Sequence, residues 1–185
     1  MLYTRKGDGG TTKTFGCDER VSKSSSIAEA LGSLDEINSF LGLIKIKAGD
    51  FAATFSESEI AVSKTIDRIQ QDLFIIQAEL AGAPKTISRE KVLWQEDIID
   101  RIEKKLPPIK TFFVSGGVEL AALSDIARAI ARRAERRVVG VVEEGKVKVN
   151  SETLAYLNRL SSVLYALARI FNQEAKIKEE TPKYD

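Results

Sequence analysis

With 185 residues, 43% of them hydrophobic, the chain is long enough to close one core, and a net charge of +1 excludes the broad basic excess that general nucleic-acid binding needs. It contains no histidine, which removes imidazole acid–base chemistry, His-ligated zinc and the Glu-x-x-His di-metal sites of helical bundles, and its single Cys17 cannot close an intramolecular disulfide. No apolar run approaches the ~18 residues of a membrane span, and MLYTRKGDGG has no signal-peptide pattern, so the expectation is a cytoplasmic protein that engages neither membrane nor nucleic acid.

In chain order, residues 1 to 24 read as an irregular glycine-rich loop. Gly7, Gly9, Gly10 and Gly16, with Asp8, Thr11, Thr12 and Thr14, permit close backbone approach, and their N–H groups could cradle a phosphate. The alternative is a mobile terminus, since GxxxxGK[ST] is absent. Ile27, Leu31, Leu34, Ile37, Leu41 and Ile44, at steps of three and four, predict a first helix from about Ser24 to Gly49. On it, Asp35 stands beside Leu31 and Leu34, at an interior edge or in solvent. A second helix is expected from about Glu57, through Val62, Ile66, Ile69, Leu73, Ile76 and Leu80, to Gly82 and Pro84. A third spans Ser88 to Lys105, with Ser88 as N-cap and Lys91 where a capping box would place Glu; Pro107 and Pro108 close it.

The stretch FFVSGGVELAALSDIARAIARRAERR, from Phe112 to Arg137, turns at Gly116 and Gly117 and continues as a fourth helix ending near Gly145. Leu123, Ala127, Ile130, Ala134, Val138 and Val141 make its apolar stripe, while Arg128, Arg132 and Glu135 form a line beside it. Six alanines let neighbouring helices approach closely, which sets guanidinium groups at the edge of a cleft. Guanidinium forks onto phosphate oxygens, so a polyphosphate is the natural ligand; a solvated, salt-bridged helix face competes with that reading. A fifth helix runs from about Ser151 to Ala175, on Leu154, Leu157, Leu160, Leu164, Leu167 and Phe171, with Asn158, Arg159, Ser162 and Arg169 in its polar sectors. KIKEETPKYD reads as a frayed charged tail, and strand signals are confined to Thr111–Val114. The predicted architecture is all-α: an up-and-down bundle of five helices in one domain, residues 1–185, with the glycine-rich loop over 1–24, the bundle over 25–175 and the tail over 176–185.

Four motifs in this order, YTRKGDGGTT, LGSLDEINSFLG, FFVSGG with RRAERRVV, and YLNRLSSVLYALAR, resemble the PduO-type ATP:cob(I)alamin adenosyltransferases over nearly the whole chain. The resemblance implies a five-helix bundle, a homotrimer with sites between subunits, and transfer of the 5′-deoxyadenosyl group of ATP to cobalt with release of triphosphate. By position it places Thr4, Gly7, Asp8, Gly9, Gly10 and Lys23 around the ATP phosphates and Mg²⁺, with Arg132, Glu135 and Asn158 completing the nucleotide site. It sets Arg128 near the reacting 5′ carbon, pairs Asp35 with Arg132, and turns Phe112 to the lower face of the corrin. No protein side chain is assigned to the metal, which arrives on the phosphates. A reductase and an adenosylcobalamin-dependent acceptor enzyme are the implied partners. Lys6, Ile27, Ser124 and Ser162 depart from the family pattern, which more often has Thr, Arg, His and Asp there.

The residues are compatible with that chemistry. Cob(I)alamin is itself a strong nucleophile, so the protein needs no catalytic base, and its work is positioning and neutralising charge. Two other readings use the same equipment: phosphoryl transfer to a small acceptor, and a nucleotide sensor or cobalamin carrier that catalyses nothing. For Phe112 itself, beside Phe113 and Val114, core packing is the plain alternative to a cleft wall.

Overall fold

In the computed structural model, which describes residues 2–14, 19–55 and 58–184 (Ser58 by its backbone alone), Ser25 opens the first helix, α1 (Ser26–Ala48). Its side-chain oxygen accepts a 3.4 Å hydrogen bond from the Ala28 N–H, satisfying one donor that the first turn leaves orphaned. Gly49 closes the helix at φ 50°, a left-handed conformation that a side chain disfavours. The remaining helices are α2 (Val62–Leu80), α3 (Arg89–Lys105), α4 (Glu119–Glu143) and α5 (Ser151–Glu174), as the apolar periodicity predicts. Gly16, Cys17 and the expected helix start at Glu57 lie outside the described residues.

Three expectations need correction. The second helix begins at Val62, because the preceding residues form a hairpin of β3 (Ala52–Phe55) and β4 (Ser58–Ala61). Its cross-strand partners Ala53 and Ile60 are buried while Thr54 and Glu59 face out, a period of two that a helical reading misses. The segment before α1 is not wholly irregular either: β1 (Thr11–Lys13) pairs antiparallel with β2 (Arg20–Ser22), Thr11 opposite Ser22. Conversely, Thr111–Val114 forms no strand. With no neighbouring strand to complete a ladder, its one described backbone bond runs from the Val114 N–H to the Glu180 carbonyl at 2.8 Å.

α4 is the central helix, packed between α1 and α5, and it runs antiparallel to α1. Lys47 at the end of α1 pairs with Glu119 at the start of α4 (2.8 Å), and the Ser26 hydroxyl donates to Glu144 just past the other end (2.6 Å). Small residues make this approach possible: Ala121, Ala127, Ala131 and Ala134 are buried against Leu34, Ile37, Leu41 and Ile44 of α1 and Leu160, Leu164 and Leu167 of α5. Each fully buried Leu or Ile contributes about 1.5–3 kcal/mol relative to exposure, so the stripes are the main source of stability. The edge-to-face contact of Phe51 with Phe171, centroids 4.9 Å apart, seals the end near the tail.

Two carboxylates lie inside this packing. Glu79 accepts from the Thr153 hydroxyl (2.5 Å), the Asn150 N–H (2.8 Å) and the Thr86 hydroxyl (3.0 Å), which ties the loops after α2 and α4 together. Asp72 accepts from the Tyr156 hydroxyl (3.0 Å) and pairs with Lys91. The lysine that spoils a capping box at the start of α3 is thus used in the interior, and Ser88 makes no side-chain cap bond.

Candidate active site

The turn that launches α4 is gripped from the side. Gly116 and Gly117 have φ of 135° and 100°, and a Cβ on Gly117 would run into the Asn172 amide. That amide accepts from the Val118 N–H (3.1 Å) and donates to the Gly116 carbonyl (2.9 Å), so α5 supplies the cap that the local sequence of α4 lacks. The residues before the turn are thereby led across one face of α4 and α5. They enclose a cleft of about 600 Å³ whose walls include Ile109, Phe112 and Phe113 on one side and Arg128, Arg132, Ser162 and Tyr165 on the other. Phe112 is 77% exposed, so core packing does not explain it.

Arg128 is half-buried, its Nε 3.6 Å from Asp125 and its guanidinium 5.8 Å from the centre of the Tyr165 ring, and that Nε has no hydrogen-bond partner. Burial raises the Tyr165 phenol above its ordinary value. Arg132, one turn further along α4, is exposed at the same cleft. The pair therefore presents guanidinium donors opposite an apolar wall, an arrangement suited to an anion joined to a flat apolar ligand. Beyond them Glu135 accepts from Asn158 (2.9 Å), whose carbonyl accepts from Arg159 (2.7 Å), so these two expected nucleotide residues are brought together on adjacent helices.

Asp35 is exposed on α1, and the ion pair joining α1 to this part of α4 is one residue over on each helix, between Glu36 and Arg133. The expected Asp35–Arg132 pair is thus not formed within the chain, because the helical phase of the packed faces brings Glu36 and Arg133 together instead. The expected phosphate residues Thr4, Gly7, Asp8, Gly9, Gly10 and Lys23 lie in the segment of turns and strands before α1, where the Gly10 N–H donates to the Gly7 carbonyl (3.2 Å) and the Asp8 N–H to the Arg5 carbonyl (3.2 Å). The Lys23 N–H donates to the Gly10 carbonyl (2.9 Å), a Cβ on Gly7 would stand 3.2 Å from Lys23 Nζ, and Arg20 donates to Thr11 Oγ1 (2.8 Å). Yet this group is rooted at the start of α1, beside Glu144, whereas Arg128 lies 16 residues back along α4, about 24 Å at 1.5 Å per residue. Among the described residues no hydrogen bond or ion pair joins it to the cleft.

Of the departures from the family pattern, Ser162 lines the cleft, Ser124 is buried with its hydroxyl donating to the Leu120 carbonyl (2.8 Å), Ile27 packs on the core and Lys6 is exposed. The sequence reading missed Tyr165 and Asp125, the two side chains that bracket Arg128. Tyr165 continues the polar line of α5 from Ser162 to Arg169, a signal that apolar periodicity hides. No group of three or more Cys, Asp or Glu able to hold a metal occurs among the described residues.

A helical bundle with guanidinium donors facing an exposed aromatic wall defines a class that takes an anionic group and a flat ligand in one cleft. Comparison with known proteins narrows it. A family model described as cobalamin adenosyltransferase matches residues 2–171, so the chain belongs to the cobalamin adenosyltransferase family. It is 39% identical over 194 residues to the corrinoid adenosyltransferase PduO of Salmonella typhimurium, covering 99% of this chain and 54% of that protein. The chain thus spans about half the length of that relative, but 89% of the corrinoid adenosyltransferase of Bacillus subtilis, to which it is 35% identical over 181 residues, 95% of this chain. A solved variant of the PduO-type ATP:corrinoid adenosyltransferase from Lactobacillus reuteri, complexed with cobalamin and ATP, matches with a TM-score of 0.86 at 29% identity, covering 100% of this chain and 97% of that one. No helix among the described residues is long and apolar enough to cross a membrane.

Proposed function

We propose that this protein transfers the 5′-deoxyadenosyl group of ATP to the cobalt of cob(I)alamin. The observation that carries the reading is the cleft in which exposed Phe112 faces Arg128 and Arg132. In the reaction the cobalt lone pair attacks the 5′ carbon, a cobalt–carbon bond forms, and the carbon–oxygen bond breaks with its electron pair leaving on triphosphate. No proton moves, which suits a site with no histidine. The chain's part is to hold the two substrates in line and to neutralise the leaving charge. Arg132 and Arg128 serve the triphosphate, and Glu135 with Asn158 orients the nucleotide. Thr4, Gly7, Asp8, Gly9, Gly10 and Lys23 cradle the phosphates through backbone N–H groups and the Lys23 ammonium. Magnesium would enter with ATP, carried on its phosphates.

The position of the glycine-rich group at the far end of α4 supports a site shared between subunits, in which one chain's loop completes its neighbour's cleft. A homotrimer is the assembly we propose. There the exposed Asp35 is available to an arginine of an adjacent copy. We place the reaction in the cytoplasm, where ATP is supplied, between a reductase that delivers the cob(I) state and an adenosylcobalamin-dependent enzyme that receives the product. Anaerobic incubation with ATP, Mg²⁺ and chemically reduced cobalamin should produce the absorbance change of a new cobalt–carbon bond together with free triphosphate. Release of ADP, AMP or pyrophosphate, or ATP binding without consumption, would overturn the proposal.

A further inference from the structure

We infer that Arg169 and Glu179, neither of which lines the cleft, form a clasp that sets the position of the wall carrying Phe112, which makes Arg169 a positioning residue for the ligand seated on that wall. The inference rests on the proposed function only for the identity of that ligand. Residues 107–115 have no regular secondary structure to hold them. Their described polar tethers come from the last turns of α5 and the residues that follow. Arg169 Nη2 donates to the Pro107 carbonyl (3.1 Å), and the Val114 N–H donates to the Glu180 carbonyl (2.8 Å). The guanidinium of Arg169 also lies 5.2 Å from the centre of the Phe113 ring.

The expected frayed tail is therefore not free. Past α5 the chain reverses at Lys176 (φ 58°), the Ile177 N–H bonds back to the Asn172 carbonyl (2.9 Å), and Glu179 meets Arg169 at 3.1 Å. Arg169 is 4% exposed, among Ile170, Leu167 and Ala168, where an apolar side chain would pack without a desolvation penalty. Replacing such a buried pair by hydrophobic residues is often neutral for stability, so stability alone does not account for an arginine here. Its fork does what a leucine could not: one arm reaches the start of the wall at Pro107, the other holds the tail that in turn holds Val114. Asn172 completes the series at Gly116. Phe112 and Phe113 lie between these anchor points.

The test compares Arg169→Met, Arg169→Lys and Glu179→Gln with the parent chain by amide hydrogen exchange and by steady-state kinetics. In Arg169→Met, exchange of the Val114 amide, which is bonded to the Glu180 carbonyl, should rise about tenfold or more while the middle of α4 keeps its protection. The KM for cobalamin should rise about tenfold with the KM for ATP within about twofold. Arg169→Lys, which keeps charge against Glu179 but lacks the fork, should recover part of both effects. If Arg169→Met does not fold, Glu179→Gln, at the less buried end of the pair, carries the same measurement. Unchanged exchange at Val114, or a uniform loss of protection with both KM values moving together, would sink the clasp. Should the parent chain fail to use cobalamin at all, the proposed function falls, and the exchange measurement still decides whether Arg169 positions the wall.

Discussion

The carboxylates inside the bundle and the arginines at the cleft are both charged groups beside packed helices, but their surroundings differ in kind. Glu79 accepts three hydrogen bonds from its own chain, and Asp72 has both a hydroxyl and an ammonium partner. Arg128 has an Nε with no hydrogen-bond partner and a carboxylate at 3.6 Å, beyond hydrogen-bond reach, while Arg132 stands exposed beside it. A buried charge saturated by its own chain serves the fold. One that keeps unused donors at the edge of a cleft, facing an aromatic wall, is available to a ligand. The contrast separates residues whose loss should cost stability from those whose loss should cost turnover.

Phe112→Ala should give the largest effect on the cleft side. Because the ring is already exposed, stability should move by no more than ~0.5 kcal/mol and ATP affinity by no more than about twofold. Under the proposed function, turnover from cob(II)alamin should nevertheless be lost, because an apolar ring against the lower corrin face would exclude the axial ligand that disfavours reduction. Chemically generated cob(I)alamin should rescue it in part. Spectra of bound cob(II)alamin with ATP decide the matter: a four-coordinate species formed equally well by the variant would reduce Phe112 to a surface residue.

Arg132→Lys should follow, losing about 10²-fold in kcat/KM, ~3 kcal/mol of transition-state stabilisation, because a point charge does not reproduce a fork on phosphate oxygens. Its thermal melting should match the parent. Retention of more than about a third of the activity would break the fork assignment. Glu79→Ala should reverse the pattern, costing ~3 kcal/mol of stability by stranding the Thr153 hydroxyl and the Asn150 N–H, while leaving kcat/KM within about twofold. Denaturant melts and kinetics on one preparation would expose a failure, which is an activity loss larger than the stability loss.

The smallest effect belongs to Tyr156→Phe, about 1 kcal/mol at neutral pH for the bond to Asp72. A pH signature accompanies it. Burial first, then the Asp72 charge, hold the Tyr156 phenol well above its ordinary value of 10.0. Below that pH both folded and unfolded chains keep the proton, and no slope arises. Above it the unfolded phenol ionises and the folded one does not, so stability falls by ~1.4 kcal/mol per pH unit until the folded value is reached. Urea melts from pH 9 to about 11 should show a shallower decline in the variant. For the assembly, light scattering across a dilution series is the corresponding check: a monomer that still turns over would rule out a site shared between copies.

Apolar periodicity alone settles the five helices, because stripes such as Val62, Ile66, Ile69, Leu73, Ile76 and Leu80 can be buried along one line only if the segment is helical. The arginine line and the Gly116–Gly117 turn were legible for the same reason: both are local patterns of residue type and backbone freedom. What the line faces is not local. That Phe112 is a wall and not core follows from Asn172 seizing the turn from α5 and from Arg169 holding Pro107, contacts across more than fifty residues of chain. The pairing of Glu36 rather than Asp35 with α4 depends on the rotational phase of two packed helices, which one helix's sequence does not contain. The docked tail likewise exists because a distant segment completes its hydrogen bonding at Glu180, and only the assembled bundle brings that segment near, whereas the β3–β4 pairing is local and is missed only because its period of two reads as part of a helix.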